Sequence, residues 1–419
     1  MNMATERMVI VGGGLAGATA AKTLRAEGFE GPITLLAAEG RIPYLRPPLS
    51  KEFLLGKEGE DVVDVVPGEW YADNGVELLL GRPVAALDVA GHKATLMDGE
   101  DIEYVRLLLA TGAQPRHIPL PGIELEGVMT FRTFKDSVRL RSLLQQGGQR
   151  VVMVGSGWIG MELAAAARSY GNEVSLLGLE DVPLSAAIGP RLGAQFQKLQ
   201  EDQGVVFHLP ASVASIEGRN GHVSAVRTNT GISLPADIVV VAVGVVPDSA
   251  LAEAAGLKIQ NGILVDASLR SSAPDVLAAG DVANALHPFT GEHHRSEHWA
   301  NALNGGKVAA KSMLGQAALL DVVPYFYTDQ FALSMEYSGF PSLTSGVDPV
   351  IRGSLDEGSY IAFWLRNGGQ GINQVVAGMS VNQRRVQKPI KALISGKVPV
   401  DVRRLTDPVI PLEELLPEA

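Results

Sequence analysis

One pattern occurs twice in this chain and constrains its fold more than any other feature. Met8-Val-Ile-Val11 is a short β-branched run that stops at a three-glycine turn, and Leu15 to Glu27 is rich in alanine and favours helix. The glycines fall at Gly12, Gly14 and Gly17, and Ile33-Thr-Leu-Leu36 then supplies a second strand. The same order returns at Val151-Val-Met-Val154, with Gly155, Gly157 and Gly160, a helix reaching Arg168 to Tyr170, and Val174-Ser-Leu-Leu177. In such a turn the first glycine makes the bend, the second admits a pyrophosphate to the helix N-terminus, and the third lets helix meet strand. For either copy alone, a bare glycine turn is the alternative. Two copies, each between a strand and a helix and a domain's length apart, point to two separate dinucleotide-binding domains.

Composition narrows the chemistry. The chain has no cysteine, which excludes a disulfide framework, a cysteine-ligated metal or iron–sulfur site of its own, a thiol nucleophile and a redox dithiol. Any redox chemistry must then belong to something bound. Its 47 glycines in 419 residues are an excess, about 18 above average usage, as close backbone approach to ligands requires. Lys plus Arg at 35 against Asp plus Glu at 46 gives a net charge of −11, which argues against nucleic acid as a partner. The longest strongly apolar run, Ile238 to Pro247, is half of the ~20 residues a membrane span needs. Three consecutive glycines interrupt the apolar N-terminus, which therefore reads as a strand and turn rather than a signal peptide, and a cytoplasmic location is expected.

Further apolar runs end in glycine at Leu107 to Gly112, Ile238 to Gly244 and Val276 to Asp281, and read as buried parallel strands whose carboxyl ends open on a ligand crevice. After Pro324 the pattern changes to segments such as Tyr360 to Leu365 and Gln374 to Ala377, which predict antiparallel strands. Past Thr406 the proline-rich tail reads as an extended arm. The fold class expected is α/β, with two Rossmann-like domains plus a C-terminal α+β domain. Their bounds are 1–115 with 248–323 for the first, 116–247 for the second and 324–419 for the last.

The string Pro43-Tyr-Leu-Arg-Pro-Pro-Leu-Ser-Lys51-Glu-Phe-Leu, with Ala110-Thr-Gly112 and Ala279-Gly-Asp281, resembles the FAD-dependent ferredoxin reductases that serve bacterial oxygenases. These are the rubredoxin, putidaredoxin and biphenyl-dioxygenase reductases, relatives of glutathione reductase and apoptosis-inducing factor. The resemblance spans nearly the whole chain and implies an FAD domain split by an inserted NAD domain, then a domain that helps build the acceptor site. It implies FAD contacts at Gly12, Gly14, Leu15, Ala16, Gly17, Glu39, Arg46, Lys51, Val84, Ala110, Thr111, Gly112, Arg132, Gly280, Asp281, Glu297 and Trp299. Many family members carry the ribose acid one residue earlier, where this chain has Ala38, so Glu39 stands in for it.

For NAD the resemblance implies Gly155, Gly157, Ile159, Gly160, Glu180 and Gly244. Gly178 occupies the usual place of the ribose acid, with Glu180 and Asp181 close behind. Because Gly178 to Ala187 holds no Arg, Lys or His for a 2′-phosphate, NADH is favoured over NADPH. Trp158 stands where the family places a ring that shields the flavin, and Glu162 is implied to pair with Lys51 beside it. A cation there stabilises an anionic reduced ring. Without the resemblance, Lys51 and Glu162 read as an ordinary structural pair. Dithiol-using relatives carry C-x-x-x-x-C where this chain has Pro47-Pro-Leu-Ser-Lys51, so the expected route is a hydride from NADH to FAD and then single electrons to a [2Fe–2S] ferredoxin or a rubredoxin.

Two features bear on the acceptor. Phe326-Tyr-Thr-Asp-Gln330 resembles the family's aromatic-Ser-Asp-Gln string, with Tyr327 where tryptophan is common; a plain strand start is the alternative. Arg384, Arg385, Lys388, Lys391, Lys397, Arg403 and Arg404 face one acid, Asp401, between 384 and 404, and form either a docking patch for an acidic protein or a solvated helix face. His287, His293, His294 and His298 crowd together, the last two at i, i+4 spacing, but their position before Trp299 argues against a metal. A redox-sensing protein similar to apoptosis-inducing factor is the rival reading. The chain is expected to be a monomer or a homodimer.

Overall fold

The computed structural model describes residues 7–367 and 373–417 and divides them into two compact units. The first comprises the chain up to Pro47, Gly59–Gln114 and Val245–Val322; the second comprises Pro48–Glu58, Pro115–Gly244 and the chain from Val323 on.

The first unit is built on a five-stranded parallel sheet in the order Val276–Ala278, Arg106–Leu109, Met8–Val11, Ile33–Ala37, Val76–Leu80. Apart from Thr34 and Arg106 its middle strands are apolar, and every residue but Arg106 is buried, as a sheet covered by helices on each side demands. The Leu15–Ala26 helix follows the first glycine turn and packs on the Trp299–Met313 helix. Close approach is possible because Gly306 faces Ala16 and Thr19, where a Cβ would meet the Ala16 carbonyl at 2.5 Å.

The second unit has its own parallel sheet, ordered Val205–His208, Glu173–Leu177, Arg150–Val154, Ile238–Val241, Val128–Thr130. It also holds an antiparallel sheet formed by Tyr325–Gln330, Leu333–Gly339, Asn373–Val381, Ser359–Asn367 and Val350–Ser354, with Pro399–Val400 added to the Asn373–Val381 strand. The antiparallel pattern foreseen after Pro324 is therefore present. One buried cluster joins Met161, Leu163 and Phe196 of the parallel half to Met335, Tyr337, Trp364 and Met379 of the antiparallel half. This shared core makes the two halves one compact unit, and Pro48–Glu58 belongs with them through Leu54.

The tail past Thr406 differs from the extended arm expected of it. Leu412–Leu415 forms a 3-10 turn with Leu412 buried, and the Arg352 guanidinium donates to the carbonyls of Leu405, Pro408 and Ile410. A buried cation supplying donors to chain that lacks its own ladder overrides the proline-rich composition. Among the described residues no helix is long and apolar enough to cross a membrane.

Candidate active site

Both glycine turns place backbone where side chains cannot go. Gly12 has φ +128° and Gly155 φ +118°, and a Cβ at either would run into the carbonyl of Ala110 or Ala242 on the adjoining strand. Gly17 and Gly160 lie against the carbonyls of Gly12 and Gly155 in the same way. Gly14 and Gly157, by contrast, face open space and are the N-caps of Leu15–Ala26 and Trp158–Ser169, with no side chain capping either helix. The first-turn N–H groups thus lack side-chain acceptors and face space free of any Cβ, an arrangement that suits an anionic pyrophosphate.

The charged centre lies in the second unit. Lys51 follows the Pro47–Ser50 turn, and its Nζ lies 2.8 Å from Glu162 Oε1 on the Trp158–Ser169 helix; the side chains are only 7% and 3% exposed. Ser50 Oγ donates to Glu162 Oε2 at 2.5 Å and Thr328 Oγ1 donates to Oε1 at 2.6 Å. Glu162 thus receives three donors while buried, which an isolated carboxylate could not tolerate. Sequence reasoning missed Ser50, Thr328 and the buried amides behind them. Ser50 lies inside the Pro-Pro-Leu-Ser-Lys string, which could have marked it, but nothing in the spacing of residue 328 points to residue 162.

Aromatic rings close one side. Trp158 is half-buried, 5.5 Å from Phe196 edge-on and 5.3 Å from Phe326, which in turn lies 5.1 Å from Tyr337. Lys51 Nζ sits 5.3 Å from the centre of the Tyr327 ring. Burial first, and then the nearby Asp329, Glu52, Glu162 and Glu58 charges, push the Tyr327 hydroxyl up to about 12, so it stays protonated at neutral pH.

The remaining expected contacts divide between the units. In the first, Glu39 Oε2 accepts from the Tyr44 hydroxyl at 2.8 Å and Arg46 approaches Oε1 at 3.5 Å, which orients the carboxylate. Thr111 Oγ1 donates to the Asp248 carbonyl at 2.6 Å, between Ala110 and Gly112. Arg295 donates to the Asp281 carbonyl, beside Gly280, and pairs with Glu297 at 2.7 Å, next to Trp299, which is 37% exposed at the start of its helix. Val84 lies partly buried against the first core. In the second, Ile159 is exposed beside Trp158, the Gly244 carbonyl accepts from Arg116 N, and the Arg132 amide donates to Asp136 of a capping box.

Two sequence readings acquire a local setting. Both oxygens of Glu180 accept backbone N–H bonds, from Ser185 and Ala186 at the start of the Ser185–Ile188 helix, at 3.0 Å, which orients the carboxylate. The i, i+4 histidines share no helix: His294 is on the strand Glu292–Arg295 and bonds Thr290 Oγ1 at 2.6 Å, while His298 is the N-cap of Trp299–Met313. Helical spacing carries no meaning across a strand end. Burial holds the His298 imidazole down to about 4.

Two parallel sheets, each opening through a glycine turn onto a helix N-terminus, together with a buried lysine–carboxylate pair, define a two-dinucleotide oxidoreductase. Residues 6–306 match the family model described as pyridine nucleotide-disulphide oxidoreductase, and residues 325–416 match the one described as reductase C-terminal. A probable ferredoxin reductase, CtmF, of Castellaniella defragrans is 37% identical over 98% of this chain and 99% of its own length. The ferredoxin–NAD(+) reductase component of the anthranilate 1,2-dioxygenase system of Burkholderia cepacia is 35% identical over 99% of this chain and all of its own. Putidaredoxin reductase, solved in covalent complex with putidaredoxin, superposes with a TM-score of 0.93 at 32% identity, covering 98% of each chain. The chain belongs to the pyridine nucleotide-disulphide oxidoreductases, in their ferredoxin reductase branch. The disulphide of that family's description has no counterpart here, since the sequence contains no cysteine.

Proposed function

We propose that this protein is a flavoprotein reductase that takes hydride from NADH and passes electrons singly to a small [2Fe–2S] ferredoxin or rubredoxin feeding an oxygenase. The observation that carries this reading is the buried Lys51–Glu162 pair in a chain without cysteine. When bound, FAD supplies the conversion of a two-electron donor into a one-electron source. Every other task belongs to the chain's own side chains.

The turn at Gly12, Gly14, Leu15, Ala16 and Gly17 fits a flavin dinucleotide's pyrophosphate, with Glu39 pre-oriented by Tyr44 and Arg46 for a ribose. The turn at Gly155, Gly157 and Gly160 fits that of the nicotinamide dinucleotide. Glu180, oriented by two backbone N–H groups, is kept as an acceptor for that dinucleotide's ribose, and the preference for NADH rests on the absence of cations from Gly178 to Ala187. Lys51, held beside Glu162 and the Tyr327 ring, would supply the positive charge that favours an anionic reduced ring, and Trp158 would shield such a ring. We retain the division into 1–115 with 248–323, 116–247 and 324–419 as a division of tasks rather than of compactness.

Arg384, Arg385, Lys388, Lys397, Arg403 and Arg404 are exposed on the C-terminal part, where they suit an acidic partner. Stopped-flow mixing under argon tests the whole reading. NADH should bleach the flavin faster than NADPH, and the reduced protein should then reduce a ferredoxin or rubredoxin at a rate that falls with ionic strength. No bleaching by either nucleotide refutes the reductase; acceptor rates indifferent to salt refute the docking patch.

A further inference from the structure

Behind Glu162 runs a chain of buried polar groups that has only one self-consistent order of protons. It starts at the Met161 carbonyl, which can only accept. Gln200, fully buried on the Pro190–Asp202 helix, places Nε2 2.9 Å from that oxygen and 2.9 Å from Gln330 Oε1. The amide cannot turn over, because Gln200 Oε1 would then face the carbonyl; in the structure Oε1 is buried without a hydrogen-bond partner, so the orientation is imposed by Met161 and Gln330.

Gln330 must therefore present its oxygen to Gln200 and its Nε2 to Thr328 Oγ1, at 3.4 Å. A hydroxyl has one proton, and with its oxygen accepting from Gln330 that proton goes to Glu162 Oε1 at 2.6 Å. The same oxygen receives the Lys51 ammonium at 2.8 Å, and Ser50 donates to the other. Oε1, which receives both the ordered Thr328 proton and the Lys51 ammonium, is left no direction in which to carry a proton of its own, and Oε2 faces only the Ser50 hydroxyl.

We infer that Thr328 is a positioning residue for electron transfer, the last link of a proton-ordered chain from the Met161 carbonyl through Gln200 and Gln330 that keeps Glu162 ionised and Lys51 charged. The assignment to electron transfer rests on the function proposed above; the proton order does not. Both Thr328 and Gln330 lie on the Tyr325–Gln330 strand of the antiparallel sheet, so the charge state of the pair depends on a strand 166 residues away from Glu162 in sequence.

The test uses infrared spectra of the flavin-loaded protein from pH 8 to pH 5, with Glu162→Gln as the reference that identifies the Glu162 band, alongside the pH profile of reduction by NADH. Loss of one hydrogen bond to a charged group favours the protonated acid by roughly ten- to a hundredfold. Thr328→Val should therefore show a protonated-carboxyl band growing in toward pH 5 together with an acid limb in the reduction rate. Wild type should show neither, and Thr328→Ser should restore wild-type behaviour. Gln200→Leu, which breaks the chain at its start, should give the same limb in weaker form and serves where Thr328→Val folds poorly. A variant pair that matches wild type in both readouts overturns the inference, as does a uniform loss of rate at all pH with no new band. If NADH reduces none of the proteins, the proposed function fails while the infrared band still decides the proton order.

Discussion

Replacing Lys51 by methionine isolates the energetics of the buried pair. The substitution conserves stem length and apolar volume, so the main change is that Glu162, 3% exposed, loses its counter-ion. Removing one partner of a buried ion pair costs about 3–5 kcal/mol because the remaining charge is uncompensated. Here the Ser50 and Thr328 hydroxyls still solvate the carboxylate, which places the loss near the lower end. For a unit of this size each kcal/mol moves the thermal midpoint by about 2–4 °C, so the expected drop is about 6–12 °C. Adding Glu162→Gln to Lys51→Met removes the orphaned charge, while the new amide still accepts from one hydroxyl and donates to the other. The double variant should recover most of the loss, a coupling that a thermodynamic cycle reads directly. Melts monitored by tryptophan fluorescence, with excess FAD for every variant so that cofactor loss does not enter, provide the assay. A Lys51→Met midpoint within about 3 °C of wild type, or a double variant no more stable than the single, would refute the claim that the pair is buried and mutually dependent.

Three other outcomes follow from particular contacts. Gly12→Ala drives a Cβ into the Ala110 carbonyl and should lower the unfolding midpoint and abolish flavin retention, whereas Gly14→Ala, facing open space, should keep the midpoint and weaken only FAD affinity by titration. His298, held by burial at about 4 against an ordinary 6.5, binds fewer protons folded than unfolded between those values; stability should fall as pH drops from 6.5 toward 4, and His298→Asn should flatten that limb in melts at a series of pH values. Arg352→Met leaves the carbonyls of Leu405, Pro408 and Ile410 without their donor, and should cost about 1–3 kcal/mol and expose 405–412 to limited proteolysis; an uncleaved tail would contradict its tethering role.

Much of this protein is legible in its sequence because strand–glycine–helix units are local: period, turn chemistry and close packing all act within about 30 residues. The helices at Leu15–Ala26 and Trp158–Ser169 and the strands around them lie where the glycine spacing puts them. The absence of cysteine excludes a dithiol without any structure, and the pairing of Lys51 with Glu162 was accessible only through a family resemblance, since 111 residues separate them.

Tertiary structure decided what depends on distant groups meeting. Glu180 is found by position alone, but its orientation is set only where Ser185 and Ala186 turn their amides toward it. The proline-rich tail reads as an arm and becomes a tethered turn once Arg352 reaches it. The order of protons behind Glu162 required Met161, Gln200, Gln330 and Thr328 to converge from two helices and a strand. Composition and spacing determine which local elements can form, because those depend on near neighbours. Which buried donors find which acceptors is a long-range matching problem, and only the packed core solves it.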